Sequence, residues 1–169
     1  MGGIDVIHWD TPDDQDDILA AACDEKMFTF EQADISDVSA VAAAVTKIFT
    51  DLNCSQVHTL INNAAISNPV MPPTEDLYTR INTWRKYIDV NLTGAYILSE
   101  VTLSHMSENS SIIHIASTRA HQSEPNCEGY AASKAGICGL THAQAVTYGI
   151  RGIRVNAVLP GWIDTGMDG

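Results

Sequence analysis

Tyr130 and Lys134 stand four residues apart in a stretch of helical periodicity, so their side chains lie on one face, a turn apart. A phenol normally titrates near ~10, too high for a base at neutral pH, and a fixed ammonium nearby is the kind of perturbation that lowers it. Such a pair can exchange a proton with an alcohol or a carbonyl, although tyrosine and lysine at this spacing also occur as an ordinary pair on a helix surface. Ser117 adds to the set because it comes just past an apolar strand, where α/β sheets present their functional side chains. Its hydroxyl can donate to a substrate oxygen.

The elements that must position these residues follow from the apolar pattern. Ile4 to Trp9 reads as a strand stopped by Asp10, and Asp13 to Glu25 as a helix with Ile18, Leu19 and Ala22 on one face behind an acidic first turn. Met27 to Gln32 fits a short strand. Ser36 or Asp37 caps a helix in which Val38, Val41, Val45, Ile48 and Phe49 repeat at helical spacing. Val57 to Ile61 is a buried strand ending in Asn62 and Asn63, followed by a loop that carries Pro69, Pro72 and Pro73. A long helix runs from Trp84 to roughly Met106 with Asn91 and Gly94 inside it, and Trp84, Tyr87 and Leu98 read as its packing residues. Ser111 to Ala116 is a strand, Gly129 to about Tyr148 a helix, and Ile153 to Leu159 a strand closed by Pro160 and Gly161. Strands alternating with helices in this way predict an α/β fold around a parallel sheet.

Composition sets the outer limits. The chain of 169 residues, 45% of them hydrophobic, is one domain spanning 1–169. Nine Lys plus Arg against 21 Asp plus Glu give a net charge of −12, which excludes a nucleic-acid partner held through its phosphates. The deficit is concentrated at the front, where only Lys26 and Lys47 oppose the acids up to Asp51, and Asp13, Asp14, Asp16 and Asp17 form one solvated helix face. No apolar run reaches the roughly 18 residues of a membrane span, and the first residues lack a basic flank, so the reading is a soluble, cytoplasmic chain with no membrane partner. Cys23, Cys54, Cys127 and Cys138 make no C-x-x-C pair, and His8, His58, His105, His121 and His142 share no ligand spacing, so no metal site is expected. His114, inside a strand, reads as a satisfied core residue.

Asn62-Asn63-Ala64-Ala65 after a strand, Asn91 in the long helix, Ser117 thirteen residues before Tyr130-x-x-x-Lys134, and Asn156 with Pro160-Gly161 and Thr165 form an ordered set. In these motifs, and over nearly its whole length, the chain resembles the short-chain dehydrogenase/reductase family. The resemblance implies a doubly wound, Rossmann-like parallel sheet and an oxidoreductase that interconverts a secondary alcohol and a ketone by hydride transfer with a nicotinamide cofactor. It implies that Tyr130 is the general acid or base, that Lys134 lowers its pKa and binds the ribose of the nicotinamide, and that Ser117 polarises the substrate oxygen. Asn91 would hold a water that links Lys134 to solvent. Asp34 and Ile35 would flank the adenine, Asn63, Ala64 and Ala65 the adenosine ribose, and Pro160, Gly161, Ile163 and Thr165 the nicotinamide. Asp10, at the end of the family's second strand, would bind the adenosine ribose hydroxyls and repel a 2′-phosphate, favouring NAD over NADP. Its alternative is a cap for the following helix.

The chain also departs from that pattern. The family's glycine-rich turn, T-G-x-x-x-G-x-G, which holds the pyrophosphate, occurs nowhere in the 169 residues, and the family's last strand and substrate loop would follow Gly169. The expected sheet is therefore incomplete, lacking the family's first and last strands, and the substrate, a small alcohol or ketone, is not specified. Ala65 replaces a glycine of the family motif. Arg119 and Glu124 either face the substrate or stabilise their loop, and Trp162 either covers the nicotinamide or closes its own loop. Members assemble through their long helices, which makes a homo-oligomer possible. A second reading is a truncated, inactive product that cannot hold the dinucleotide and acts, if at all, through association with a full-length relative.

Overall fold

Three short stretches, Thr59–Asn62 (β1), Ser111–Ile115 (β2) and Arg154–Val158 (β3), form a parallel sheet in the order β1-β2-β3. The computed structural model describes residues 29–66 and 76–163; the strand at Ile4 to Trp9, the helix at Asp13 to Glu25 and the proline loop lie outside them. Period-2 alternation decides which side chains meet the helices. Leu60, Ile112 and Val155 share one register row, Asn62, His114 and Ala157 the next. On the opposite face Ile61 and Val158 are exposed among the described residues. The chain is thus α/β with the parallel, Rossmann-like arrangement expected, and its described part holds three strands.

Asp37 caps the first helix, Val38–Asp51 (α1), by accepting from the amides of Ser39 and Ala40. Asp76 does the same for Leu77–Tyr87 (α2) through Tyr78 and Thr79. From Tyr87 the chain stays helical through a π-helical turn at Ile88–Thr93 and on into Gly94–Leu103 (α3). The sequence reading of one helix from Trp84 to Met106 is corrected on three counts: it starts at Leu77, ends at Leu103 and contains the π turn. Leu77, Ile81 and Trp84 recur at helical spacing in its first turns behind the Asp76 cap, although Leu77, Tyr78 and Ile81 are exposed, and the sequence reading begins the helix only at Trp84. The end is fixed by Arg151, whose guanidinium donates to the carbonyls of Leu103 and Met106 at 3.0 and 2.8 Å.

Glu128–Gly149 (α4) matches the expected helix to within a residue at either end. The predicted strand at Met27 to Gln32 is not formed over 29–32, where no described strand lies alongside to pair with it. Of the three expected packing residues Tyr87 is buried and Leu98 packs against two apolar clusters, whereas Trp84 remains 38% exposed.

One cluster, Leu60, Met106, Ile112, Tyr148, Ile153 and Val155, joins the sheet to the helices, and burial of each large aliphatic stabilises by about 1.5–3 kcal/mol. A second, Ile35, Val41, Val45, Val90 and Ile97, sits between α1 and α3. Two glycines permit the close approaches that this packing needs. A Cβ on Gly94 would lie 2.6 Å from Cγ2 of Ile35, and one on Gly129 would lie 2.8 Å from the Tyr87 ring.

Candidate active site

All three strands are parallel, so their carboxyl ends open on one edge of the sheet. There the chain leaves β1 as Asn63-Ala64-Ala65, β2 as Ala116-Ser117 and β3 as Leu159-Pro160-Gly161. Backbone bonds hold the last two together. Ala116 donates to the Val158 carbonyl at 2.8 Å and Thr118 to that of Pro160 at 3.0 Å. Ser117 caps a 3-10 turn, Thr118–Ala120, its hydroxyl oxygen accepting from the Arg119 amide at 3.2 Å. A hydroxyl oxygen that accepts keeps its own hydrogen to donate.

The helix α4 starts beside this edge and carries both members of the Tyr130/Lys134 pair. Lys134 is only 4% exposed, and its Nζ donates to the Ile115 carbonyl at 2.9 Å. The same ammonium lies 5.7 Å from the centroid of the Tyr130 ring. Burial pushes Lys134 down to about 8, because a charged amine loses its hydration there. No carboxylate is paired with it among the described residues; the ion pairs there are Lys47 with Glu31 and Asp51, and Arg119 with Glu124. Tyr130 is half-buried, and the ring of Tyr87 meets it edge-on with centroids 6.2 Å apart.

Asn91 sits in the π turn and is buried, with both amide hydrogens committed. Nδ2 donates to the Ile66 carbonyl at 3.3 Å and to the Ser133 hydroxyl at 3.2 Å, while Oδ1 accepts from the Ile66 amide at 2.8 Å. Asn91 therefore fastens the segment after β1 to α4. Besides the water-holding role that the resemblance implies for Asn91, the sequence reading does not name Ser133, which lies between Tyr130 and Lys134 and donates to the Tyr130 carbonyl at 2.7 Å. The Ile115 carbonyl was missed too. A backbone acceptor has no signature in residue type, and a serine in mid-helix shows only as a residue able to bond back along its own helix.

The remaining candidates form a more open rim. Asn63, Ala65, Gly161, Trp162 and Ile163 are exposed, and Ala64 and Pro160 are partly buried. Asp34 is exposed, and hydrogen bonds from the Ser36 hydroxyl and amide hold its carboxyl below the usual range. The Ile35 side chain is turned into the apolar cluster against Gly94, so only its backbone is left for a ligand. Arg119 pairs with Glu124, the loop-stabilising arrangement. Asp10 and Thr165 lie outside the described residues. Among the described residues no cluster of His, Cys, Asp or Glu could hold a metal ion, and no helix is long and apolar enough to cross a membrane.

The carboxyl edge of a parallel α/β sheet thus carries a serine two residues past a strand end, and α4 carries a tyrosine and a buried lysine one helical turn apart. A family model described as enoyl-(acyl carrier protein) reductase matches residues 2–169. The chain is 34% identical over 166 residues to cis-4-hydroxycyclohexanecarboxylate dehydrogenase of Sinomonas cyclohexanicum, a match covering 96% of this chain and 65% of that one. It is 41% identical over 140 residues to an uncharacterized oxidoreductase of Thermotoga maritima, covering 81% and 52%. Among solved structures, a short chain dehydrogenase from Burkholderia cenocepacia in complex with NADP superposes with a TM-score of 0.70 at 31% identity, covering 80% of this chain and 54% of that one. The chain belongs to the short-chain dehydrogenase/reductase family. It spans roughly half to two-thirds of the length of these curated relatives.

Proposed function

We propose that the chain carries the proton-transfer centre and the nicotinamide-facing rim of an NAD-dependent oxidoreductase that interconverts a secondary alcohol and a ketone. The observation that carries this reading is Lys134, a buried ammonium with a backbone carbonyl as its bonded partner and the Tyr130 ring one turn away. Burying a charge in this way costs several kcal/mol, roughly, which a purely structural residue would avoid. In the proposed site the Tyr130 hydroxyl gives a proton to the carbonyl oxygen during reduction and takes it back during oxidation. Ser117 donates its free hydrogen to the same oxygen, and Lys134 faces the ribose hydroxyls. Asn91 positions both halves through Ile66 and Ser133.

A bound nicotinamide dinucleotide would supply the hydride. Asn63, Ala64, Ala65, Pro160, Gly161, Ile163 and Thr165 would line it, with Asp34 and the backbone of Ile35 at the adenine. The fit is best at the nicotinamide end, where the lysine and the open Gly161 segment lie. The preference for NAD rests on Asp10, and the solved NADP complex of a relative makes a paired comparison of the two cofactors necessary. A small alcohol or ketone is the proposed substrate, and a cytoplasmic, self-associating protein the proposed setting.

The test is NADH formation at 340 nm with a panel of secondary alcohols, for the wild type and for Tyr130→Phe. Turnover should fall by about 10²- to 10⁴-fold in the variant, the usual weight of a positioned general acid or base, with little change in melting temperature. Turnover that survives the change would show that the base is wrongly assigned.

A further inference from the structure

Beneath the site lies a buried polar bridge that the proposed chemistry does not use. Asn62 on β1 and His114 on β2 are register partners, and both face the covering helices. Nδ1 of His114 is 3.2 Å from Nδ2 of Asn62, and its Nε2 is 2.8 Å from Oε1 of Gln144 on α4. An amide nitrogen only donates and an amide oxygen only accepts, so Nδ1 is the bare nitrogen and Nε2 carries the hydrogen. Asn62 Nδ2 also donates to the Ser99 hydroxyl at 3.0 Å, while Asn62 Oδ1 and Gln144 Nε2 have no partner among the described residues. All four side chains are buried, His114 completely.

Each end of this bridge leads directly into the site. Asn62 is followed by Asn63, His114 by Ile115, whose carbonyl receives Lys134, and Gln144 shares α4 with Tyr130 and Lys134. We infer that His114 is a positioning residue: in its neutral, Nε2-protonated form it ties β1 and α4 to β2 and so sets the spacing of the arms of the site, and uptake of a proton at Nδ1 breaks the bond that Asn62 now donates to it and forces the amide of Asn62 to rearrange. The inference rests on the reading above only in calling those arms a site.

The geometry dictates the consequence of that proton. With both ring nitrogens protonated, two donors would face each other at Asn62. Turning the amide to present Oδ1 would restore a bond to the ring, but Ser99 could then bond Asn62 only by donating to Oδ1 and giving up the Ala95 carbonyl it now holds at 2.8 Å, so the cation cannot keep the present set of bonds. The surroundings oppose the cation as well. Asn62 on β1 and Ala157 on β3 do not titrate; α3 contributes Ser99 and, further out, Glu100, which accepts from the Tyr148 hydroxyl; α4 contributes Gln144, Tyr148 and, against the neighbouring Ile115, the ammonium of Lys134. Burial holds His114 below the ordinary histidine range. The unfolded chain therefore binds more protons than the folded one as the pH falls through about 6.5, and stability declines with it.

The test uses the full chain labelled with ¹⁵N and needs no dinucleotide. At pH 7.5 the ring should show a bare Nδ1 and a protonated Nε2. On acidification towards pH 5.5 the backbone amides of Asn63 and Lys134 should shift with the same midpoint as the His114 ring, and His114→Asn should abolish that shared titration. An Nδ1-protonated ring at pH 7.5, or amide shifts with a midpoint different from the ring's, would overturn the inference from the wild type alone, whether or not the variant folds. In the folded variant, unchanged amide titrations would overturn it too. Failure of the wild type to bind NADH would contradict the functional reading and leave these readouts intact.

Discussion

The inner group of the candidate site and its rim are built by opposite means. Inside, Asn91, Ser133 and Lys134 are buried and each is bonded to another element or to the backbone, so their positions are set when the chain folds. On the rim, Asn63, Ala65, Gly161, Trp162 and Ile163 lie open at strand ends and take their places from the backbone alone. A polar group that is buried and bonded costs folding energy to place and holds geometry tightly, whereas an exposed strand-end residue costs little and is free to take a ligand. Substitutions inside should therefore change stability and chemistry together, and those on the rim chemistry alone.

The sharpest break of this contrast is Lys134→Met. The folded ammonium is held at about 8 against 10.5 for the ordinary group, so below pH 8 the native state bears the full cost of the buried charge. The variant should be more stable than the wild type at pH 7, by on the order of 3 kcal/mol, while losing turnover. Between pH 8 and 10.5 the unfolded wild type binds more protons than the folded form, so wild-type stability rises with pH and the gain shrinks. Urea unfolding at pH 7 and pH 10.5 would show both arms. A variant less stable than the wild type at pH 7 would mean that the ammonium is better compensated than its single carbonyl implies.

Asn91→Ala comes next and has the opposite sign. It leaves the Ile66 amide and carbonyl without their partner, which should cost about 2–4 kcal/mol and speed hydrogen exchange at Ile66. On the rim Trp162, 80% exposed, should change stability by less than about 0.5 kcal/mol when replaced by alanine. Its effect on NADH affinity separates the two readings of that residue: a loss of affinity marks a cover over the nicotinamide, and no loss marks a loop closure.

The same contrast explains what could be read from the sequence. Side chains that act by their own chemistry left a type and a spacing: Tyr130 and Lys134 at a helical turn, Ser117 past a strand, Asn91 inside a helix, all of which fall at or beside one edge of the sheet. The strand periods placed β1, β2 and β3 to within two residues of the expected ends. What escaped is what residue type does not encode. The carbonyl under Lys134 belongs to Ile115 by position and the π turn holding Asn91 is a choice of hydrogen-bond partner, whereas the start at Leu77 is legible in the Asp76 cap and the Leu77, Ile81, Trp84 spacing. The resemblance puts Ile35 with Asp34 at the adenine, and residue type does not encode that its side chain packs against Gly94.

The open strand-end edge beside Lys134 is the proposed seat of a nicotinamide dinucleotide. Titration of the chain with NADH and, in parallel, NADPH, followed by nicotinamide fluorescence and melting temperature, tests it most directly. Saturable binding with a rise in melting temperature is expected, stronger for NADH and weakened by Lys134→Met. Absence of binding by both cofactors up to millimolar concentration, with the chain folded, would contradict it.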